Sequence, residues 1–189
     1  MIIHLTRRDH GFTSLRLLSL LDTAHSLEKR PHIKYYFYDG ACNMVKSDGK
    51  SVISALLPSD ITESINTGEC FTSVKKNKSE IILSKHQDRD VTVEKDLISK
   101  TRSTVFQTTH LTGQLIHSPK DADPGSDHDF IAEFLRSSVG VFDIPLIYQI
   151  FEILKNVSLT FHFSKTNTTK PLIITTDIGA TIYLGAYVK

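Results

Sequence analysis

Apolar residues recur at helical spacing near the start of the chain. This spacing predicts an amphipathic helix from Thr13 or Ser14 to about Leu27. Thr13 or Ser14 can cap the first turn, and Pro31 lies just beyond the end. The apolar positions of this predicted helix are Leu15, Leu17, Leu18, Leu20, Leu21 and Ala24.

Extended segments rich in aromatic and β-branched residues follow at 33–38, 41–47 and 51–57. The dipeptides Asp39-Gly40 and Asp48-Gly49 separate them, and both are typical of tight hairpin turns. The first third therefore predicts one helix followed by a three-stranded antiparallel meander.

The last third repeats this order. Asp143 is placed to cap a helix with Pro145 in its first turn, and apolar residues continue to Leu154. Strands are predicted at 157–163, 171–176 and 180–188, with a turn at 177–179 between the last two.

The middle of the chain is less regular. Its pattern predicts a hairpin of strands 69–74 and 80–84, a charged stretch at 87–102 and a strand at 106–116. A polar surface loop at 117–129 and a short helical turn at 130–135 come next. We predict two halves, residues 1–102 and 103–189, in an α+β fold.

Composition excludes several classes of protein. The chain has 189 residues, 40% of them hydrophobic, and a formal net charge of +1. This charge is low for a strongly basic nucleic-acid binder, and two cysteines are too few for a disulfide framework. Because the first residues lack an apolar signal core and no segment reaches about 20 apolar residues, we expect an intracellular, non-secreted protein without a membrane partner.

The segment 117–129 is the best candidate for a metal site, because it contains His128 and four aspartates. A calcium loop counted from Asp121 requires Gly at its sixth position and Glu at its twelfth, but Ser126 and Ala132 stand there. We therefore expect a solvated acidic connector and no metal. The four aspartates are Asp121, Asp123, Asp127 and Asp129.

No pattern typical of catalysis is present in the sequence. No serine lies between glycines on a strand-to-helix turn, no histidine pair has zinc-protease spacing, and no glycine-rich phosphate loop occurs. Cys42 and Cys70 fall in predicted strands, as buried structural thiols do, and His162 lies on the polar face of its strand. We expect no enzyme activity and no cofactor.

Basic residues cluster on and beside the first predicted helix. Arg16, Lys29 and Arg30 could follow a phosphate backbone. Asp22 and Glu28 on the same helix equally suit an ordinary solvated surface, so both interpretations stay open.

The repeated order of helix and meander resembles the half-domain unit of sliding clamps, such as the proliferating cell nuclear antigen and the three-subunit checkpoint clamp. Residues 14–60 resemble the start of such a domain, with the strand Gly40-Ala-Cys-Asn-Met-Val-Lys-Ser-Asp48 and the run Ser51-Val-Ile-Ser-Ala-Leu-Leu-Pro-Ser-Asp60. Residues 142–189, including Lys170-Pro171-Leu172-Ile173-Ile174, are similar to a closing portion. The chain is shorter than a two-domain clamp subunit, and segment 87–129 has no clear counterpart.

The resemblance implies a DNA clamp or processivity fold that assembles with other clamp-like subunits, identical or different, into a ring. Such a ring would hold double-stranded DNA without sequence preference, in checkpoint signalling, repair or replication in the nucleus. Under this interpretation Arg16, Lys29, Arg30 and Lys155 contact DNA, and the subunit interface includes Ile182, Tyr183, Leu184 and Tyr187. The alternative is a structural or adaptor protein, for example a viral one, that self-oligomerises and recruits partners without encircling DNA.

Overall fold

Ten β-strands and three helices lie within the parts of the chain that the computed structural model describes. These parts are residues 1–6, 16, 35–40, 43–47, 51–57, 59–76, 80–86, 108, 111–119 and 126–187. The chain divides into two units, Met1–Arg102 and Ser103–Lys189. Because helices accompany sheets whose strands pair antiparallel, the predicted α+β class is confirmed.

The first unit is a sheet of six strands with one short helix, α1 (Ser59–Thr62). Every strand pairing within it is antiparallel, in the order β1-β6-β5-β2-β3-β4. The predicted meander and the predicted hairpin are thereby confirmed. The strands are β1 (Ile2–Thr6), β2 (Tyr35–Tyr38), β3 (Asn43–Ser47), β4 (Ser51–Leu56), β5 (Cys70–Lys76) and β6 (Glu80–His86).

Strand β1 was not predicted from the sequence. Its side chains alternate, since Ile3 and Leu5 are buried whereas Ile2 and His4 are exposed. This two-residue period is the usual mark of a half-buried strand. Five residues are too few for this alternation to stand out in the sequence.

The turn between β2 and β3 is held by its own polar groups. The Asp39 Oδ1 atom accepts a hydrogen bond from the Asn43 N–H at 3.0 Å. Gly40 has a φ of 81°, and a Cβ at this position would collide with the side chain of Thr67. Only glycine meets both conditions easily, so the predicted Asp-Gly turn has a clear physical basis.

The second unit places two helices with a four-stranded antiparallel sheet in the order β10-β9-β8-β7. The meander β8-β9-β10 follows the second helix, as predicted. The elements are β7 (Gly113–His117), α2 (Ser126–Ser137), α3 (Ile144–Leu154), β8 (Leu159–Phe163), β9 (Leu172–Thr176) and β10 (Thr181–Leu184).

Aromatic rings fill the core of this unit between the helices and the sheet. Their centroids lie 5.1–5.8 Å apart, and many of the pairs meet edge to face, an arrangement favoured by the ring quadrupoles. Phe134 contacts three other rings and is fully buried. The buried rings are Phe130, Phe134, Phe142, Phe151, Phe161 and Phe163.

Asp143 caps α3 as predicted. Its Oδ1 atom accepts the Leu146 N–H at 3.0 Å, and proline stands in the first turn. One buried side of the helix carries Ile147, Ile150 and Leu154. The helix begins with a satisfied backbone donor and packs through its apolar face.

Three predictions for the middle of the chain have wrong bounds. The loop predicted at 117–129 is too long, because His117 ends β7 and α2 already begins at Ser126. The helical turn predicted at 130–135 is a helix of 12 residues. Asp127 and Asp129 in its first turn read as loop residues, but acidic side chains there are favoured by the helix dipole. The predicted strand 106–116 is also shorter, and Thr108 instead accepts a turn hydrogen bond from Leu111.

Candidate functional site

The four predicted DNA-contacting residues differ in their structural surroundings. Arg16 is helical and exposed, and it belongs to the first unit. Lys29 and Arg30 lie outside the described residues. Lys155 is exposed at the C-terminal cap of α3, where a cation also suits the helix dipole. Contact of these four residues with DNA stays a prediction.

The predicted interface residues divide between the core and the surface. Ile182 and Leu184 are buried within the chain at 0% and 1% exposure. Tyr183 is half-buried, and burial raises the pKa of its hydroxyl. Tyr187 is exposed and its hydroxyl donates to Asp143 Oδ2 at 3.2 Å. The two tyrosines are therefore the members of this set whose side chains reach the surface.

The two helices of the second unit carry more negative than positive charge. Together the two helices contain four carboxylates and one guanidinium, that of Arg136. The carboxylates are those of Asp127, Asp129, Glu133 and Glu152. All but Asp127 are exposed. A negative helical surface repels a phosphate backbone. In this unit, Lys155 at the end of α3 is better placed for phosphate contact than the helix bodies.

The acidic segment that suggested a metal site becomes in part the start of α2. Asp121 and Asp123 lie outside the described residues. The His128 Nδ1 atom lies 3.0 Å from the Tyr148 hydroxyl oxygen, so this histidine contacts α3. Within the described ranges, no three side chains of His, Cys, Asp or Glu are grouped as a metal would require.

Three further candidates from the sequence have ordinary surroundings. Cys70 is buried, as expected of a structural thiol, and Cys42 lies outside the described residues. His162 was expected at the surface but is half-buried, with its Nε2 atom 3.2 Å from Thr175 Oγ1. Burial lowers the pKa of His162, so this imidazole favours its neutral form. Among the described helices, none has the length and apolar content to cross a bilayer.

A buried histidine in the second unit was not singled out from the sequence. The His117 side chain is 8% exposed and lies edge-on to the rings of Phe130 and Phe151, with both centroid distances at 5.1 Å. Its Nε2 atom is 3.0 Å from Asp127 Oδ1, but the two are not aligned for a hydrogen bond. The predicted strand ended one residue before His117. Extending that strand by one residue places His117 on the same face as Leu115, and this alternation was the available sequence signal for the burial of His117.

The first unit contains a buried carboxylate of a different kind. Glu69 Oε1 accepts hydrogen bonds from Lys85 Nζ at 2.5 Å and from Asn66 Nδ2 at 2.9 Å. The hydrogen bond from Lys85, followed by that from Asn66, lowers the pKa of Glu69. The Glu69 side chain is 10% exposed and the Lys85 side chain is 34% exposed. This pair ties the start of β5 to the end of β6, which is a structural role.

Comparisons with known proteins find similarity in structure and not in sequence. No protein-family model matches the chain, and no curated protein matches it in sequence. The structure is similar to the DNA polymerase III subunit beta from Pseudomonas aeruginosa, with 8% identity and a TM-score of 0.45. It is also similar to a DNA polymerase sliding clamp from Caulobacter crescentus (12%, 0.47) and to the DNA polymerase III beta subunit from Thermotoga maritima (10%, 0.45).

These alignments cover 100% of this chain and 67%, 65% and 66% of the three proteins, respectively. The chain thus spans about two thirds of their length. They are sliding clamps, the family that the sequence resembles, and the likeness is one of fold alone. The likeness assigns no residue a role.

Proposed function

We propose that this chain is a non-enzymatic, clamp-like subunit that assembles with other clamp-like subunits into a ring around double-stranded DNA. The ring is made of identical or different subunits and holds DNA without reading its sequence. Its setting is DNA replication, repair or damage checkpoint signalling in the nucleus. Residues 1–102 and 103–189 form its two clamp-like halves.

Exposed apolar residues on terminal strands support assembly. Strand β1 ends the strand order of the first unit, and Ile2 on it is 70% exposed. Strand β7 ends the order of the second unit, and Ile116 on it is 66% exposed. Terminal strands offer backbone hydrogen-bonding groups to another chain, and proteins normally protect them with charged residues. Isoleucine at both places favours pairing with a neighbour, and this observation carries the proposal.

Ser126 is not placed as an activated nucleophile. Ser126 and His117 line the same cavity, and Asp127 lies beside the histidine. No hydrogen bond joins Ser126 Oγ to the imidazole. A serine without a base in reach stays a weak nucleophile, so the three residues do not form a working triad.

A second candidate function has an observation of its own. The acidic surface of α2 and α3 suits contact with a protein better than contact with DNA. An adaptor that self-oligomerises and recruits partners without encircling DNA would need no basic helical surface. The two candidates differ in whether the assembly holds DNA.

Charged substitutions on the terminal strands test assembly. We expect the complex isolated from the cells that make the protein to have the mass of several clamp-like subunits. Ile116→Lys and Ile2→Lys should each reduce the fraction of chain found in that complex, because a charged side chain opposes edge pairing. Leu135→Lys is the matched control, since Leu135 is 43% exposed but lies on a helix.

Native mass spectrometry measures the assembly of each variant. Loss of the complex with both strand variants, but not with the helix control, supports the proposal. A mass equal to one chain for the unchanged protein contradicts it. Equal assembly by all variants contradicts the role of the terminal strands.

A further inference from the structure

The loop between β8 and β9 is an exposed basic segment of the second unit. Its residues 165–170 are all exposed, and they include Lys165 and Lys170. The stretch 153–176, which contains this loop, has three lysines and no aspartate or glutamate. The helices α2 and α3 instead carry four carboxylates and one guanidinium. Positive charge in this part of the sequence therefore lies on the β8–β9 hairpin and not on the helices before it.

Neighbouring carboxylates do not cancel the charge of the loop. Asp177 follows the loop in sequence but lies beyond the other end of β8, since its N–H donates to the Ser158 carbonyl oxygen. The five residues of β8 span about 16 Å, twice the screening length of about 8 Å in physiological salt. At the loop end, the Val139 N–H donates to the Ser164 carbonyl oxygen, which places Asp143, the cap of α3, on this side. Among the described residues, one carboxylate and two ammoniums leave this end positive.

The backbone of the loop is fixed by its own side chains. Ser164 Oγ, which is buried, accepts the N–H groups of Thr166 at 3.3 Å and of Asn167 at 2.9 Å. Asn167 Oδ1 accepts the N–H and the hydroxyl of Thr169 at 2.9 and 2.8 Å. A partner that binds here does not have to order this backbone, so less conformational entropy is lost on binding. The two lysine side chains extend from a fixed base.

The side chains of the loop suit a phosphate backbone better than a protein surface. Residues 165–170 are two lysines, three threonines and one asparagine, so every side chain carries a hydrogen-bond donor and none is aromatic or aliphatic. The cores of protein–protein interfaces are instead enriched in aromatic and other apolar residues. Ammonium, hydroxyl and amide groups are common donors to phosphate oxygens, and such contacts do not read sequence.

We propose that the β8–β9 loop, through Lys165 and Lys170, contacts the phosphate backbone of the DNA that the ring holds. The electrostatic contact of the second unit is then made by the end of a sheet and not by the bodies of its helices. This inference rests on the proposed function, because it requires a chain that holds DNA.

The salt dependence of DNA binding tests the loop. The full-length protein, in the assembly in which it is isolated, would be titrated with a fluorescent duplex of mixed sequence at several salt concentrations. Each phosphate contact contributes about 0.9 to the slope of log K against log salt. The double variant Lys165→Gln, Lys170→Gln should therefore lower the slope by about 1.8 and weaken binding several-fold. Fluorescence anisotropy measures both quantities.

The matched control is the double variant Lys165→Arg, Lys170→Arg. It keeps both charges, so its slope should equal that of the unchanged protein. Both side chains are exposed, and the fold should survive either pair of substitutions. Equal slopes for the glutamine and arginine variants would contradict the loop contact, as would an absence of salt-dependent binding by the unchanged protein.

Two further measurements separate this inference from the proposed function and from a protein partner. Retention on nicked circular DNA would be compared for the unchanged protein and the glutamine variant. If both are retained and their salt slopes are equal, the assignment of the loop is wrong while the clamp function stands. If poly-L-glutamate binds at least as tightly as the duplex and loses affinity equally in the glutamine variant, the loop belongs to an acidic protein partner and a DNA contact is refuted.

Discussion

Glu69 in the first unit and His117 in the second are both buried side chains, but they are held by different forces. Glu69 accepts hydrogen bonds from Lys85 and Asn66, and the ammonium of Lys85 balances its charge. His117 is held between the rings of Phe130 and Phe151 and has no aligned hydrogen-bond partner in the described structure. Charge pairing stabilises the first site and packing stabilises the second.

The difference lies in how the polar atoms of the two side chains are satisfied. Glu69 Oε1 accepts its hydrogen bonds from groups within the protein, although Oε2 has no partner in the described residues. The His117 ring nitrogens are also buried, and Nε2 lies 3.0 Å from Asp127 Oδ1 without the alignment of a hydrogen bond. Substitutions at each place should therefore differ in their response to pH and to loss of packing.

The largest effect is expected from the packing of the second unit. Phe151→Ala should lower the free energy of unfolding by about 3 to 5 kcal/mol, because the ring is 3% exposed and truncation leaves a void beside Phe130 and Phe161. Urea unfolding followed by circular dichroism measures the change. Hydrogen exchange should rise more in β8 than in β5. A decrease in the free energy of unfolding below about 1 kcal/mol would contradict the claim that ring packing stabilises the second unit.

A smaller loss is expected when the charge pair of the first unit is opened. Lys85→Met should cost about 1 to 2 kcal/mol, since it leaves the Glu69 carboxylate buried without its cation and Lys85 itself is partly exposed. Adding Glu69→Gln should recover part of this loss, and the double-mutant cycle measures the coupling in urea unfolding. Strict additivity of the two changes would show that the pair contributes nothing.

The same pair predicts a pH dependence. Because Lys85 and Asn66 lower the folded-state pKa of Glu69 below its usual value of 4.5, its ionisation favours the folded state above that pH. This contribution is lost as pH falls through the folded-state pKa. The stability difference between the unchanged protein and Glu69→Gln should shrink below pH 4.5. Urea midpoints between neutral and acidic pH test this, and a constant difference would contradict it.

The smallest effect is expected at His117. His117→Leu should change the free energy of unfolding by less than about 1 kcal/mol, because the apolar side chain removes two unsatisfied nitrogens while keeping most of the volume. A large loss of stability in urea would show that His117 is a structural group like Glu69.

Much of the fold was predictable because local signals agreed with the tertiary structure. Asp143 and Pro145 mark the start of α3 in the sequence, and the structure contains that cap. The Asp39-Gly40 turn was found in the same way, since its positive φ and side-chain hydrogen bonds are local. Such features need no information about distant residues.

The start of α2 and the surroundings of His117 were not predictable to the same degree. Ser126, Asp127 and Asp129 are polar and read as a loop, but helix α2 is fixed by burial of Phe130 and Phe134. The burial of His117 depends on Phe151, which is distant in sequence and lies on another helix. Contacts of this kind are set by packing and leave no pattern in a single segment.

Retention on DNA tests the central claim most directly. The native complex would be assembled on nicked circular DNA in an extract of the cells that make the protein, and then isolated by gel filtration. The DNA would next be cut once to make it linear. A ring held by topology should stay on the circle and leave the linear DNA, with loss largely independent of sequence. Equal retention on circular and linear DNA, or no retention on either, would contradict a DNA-encircling clamp.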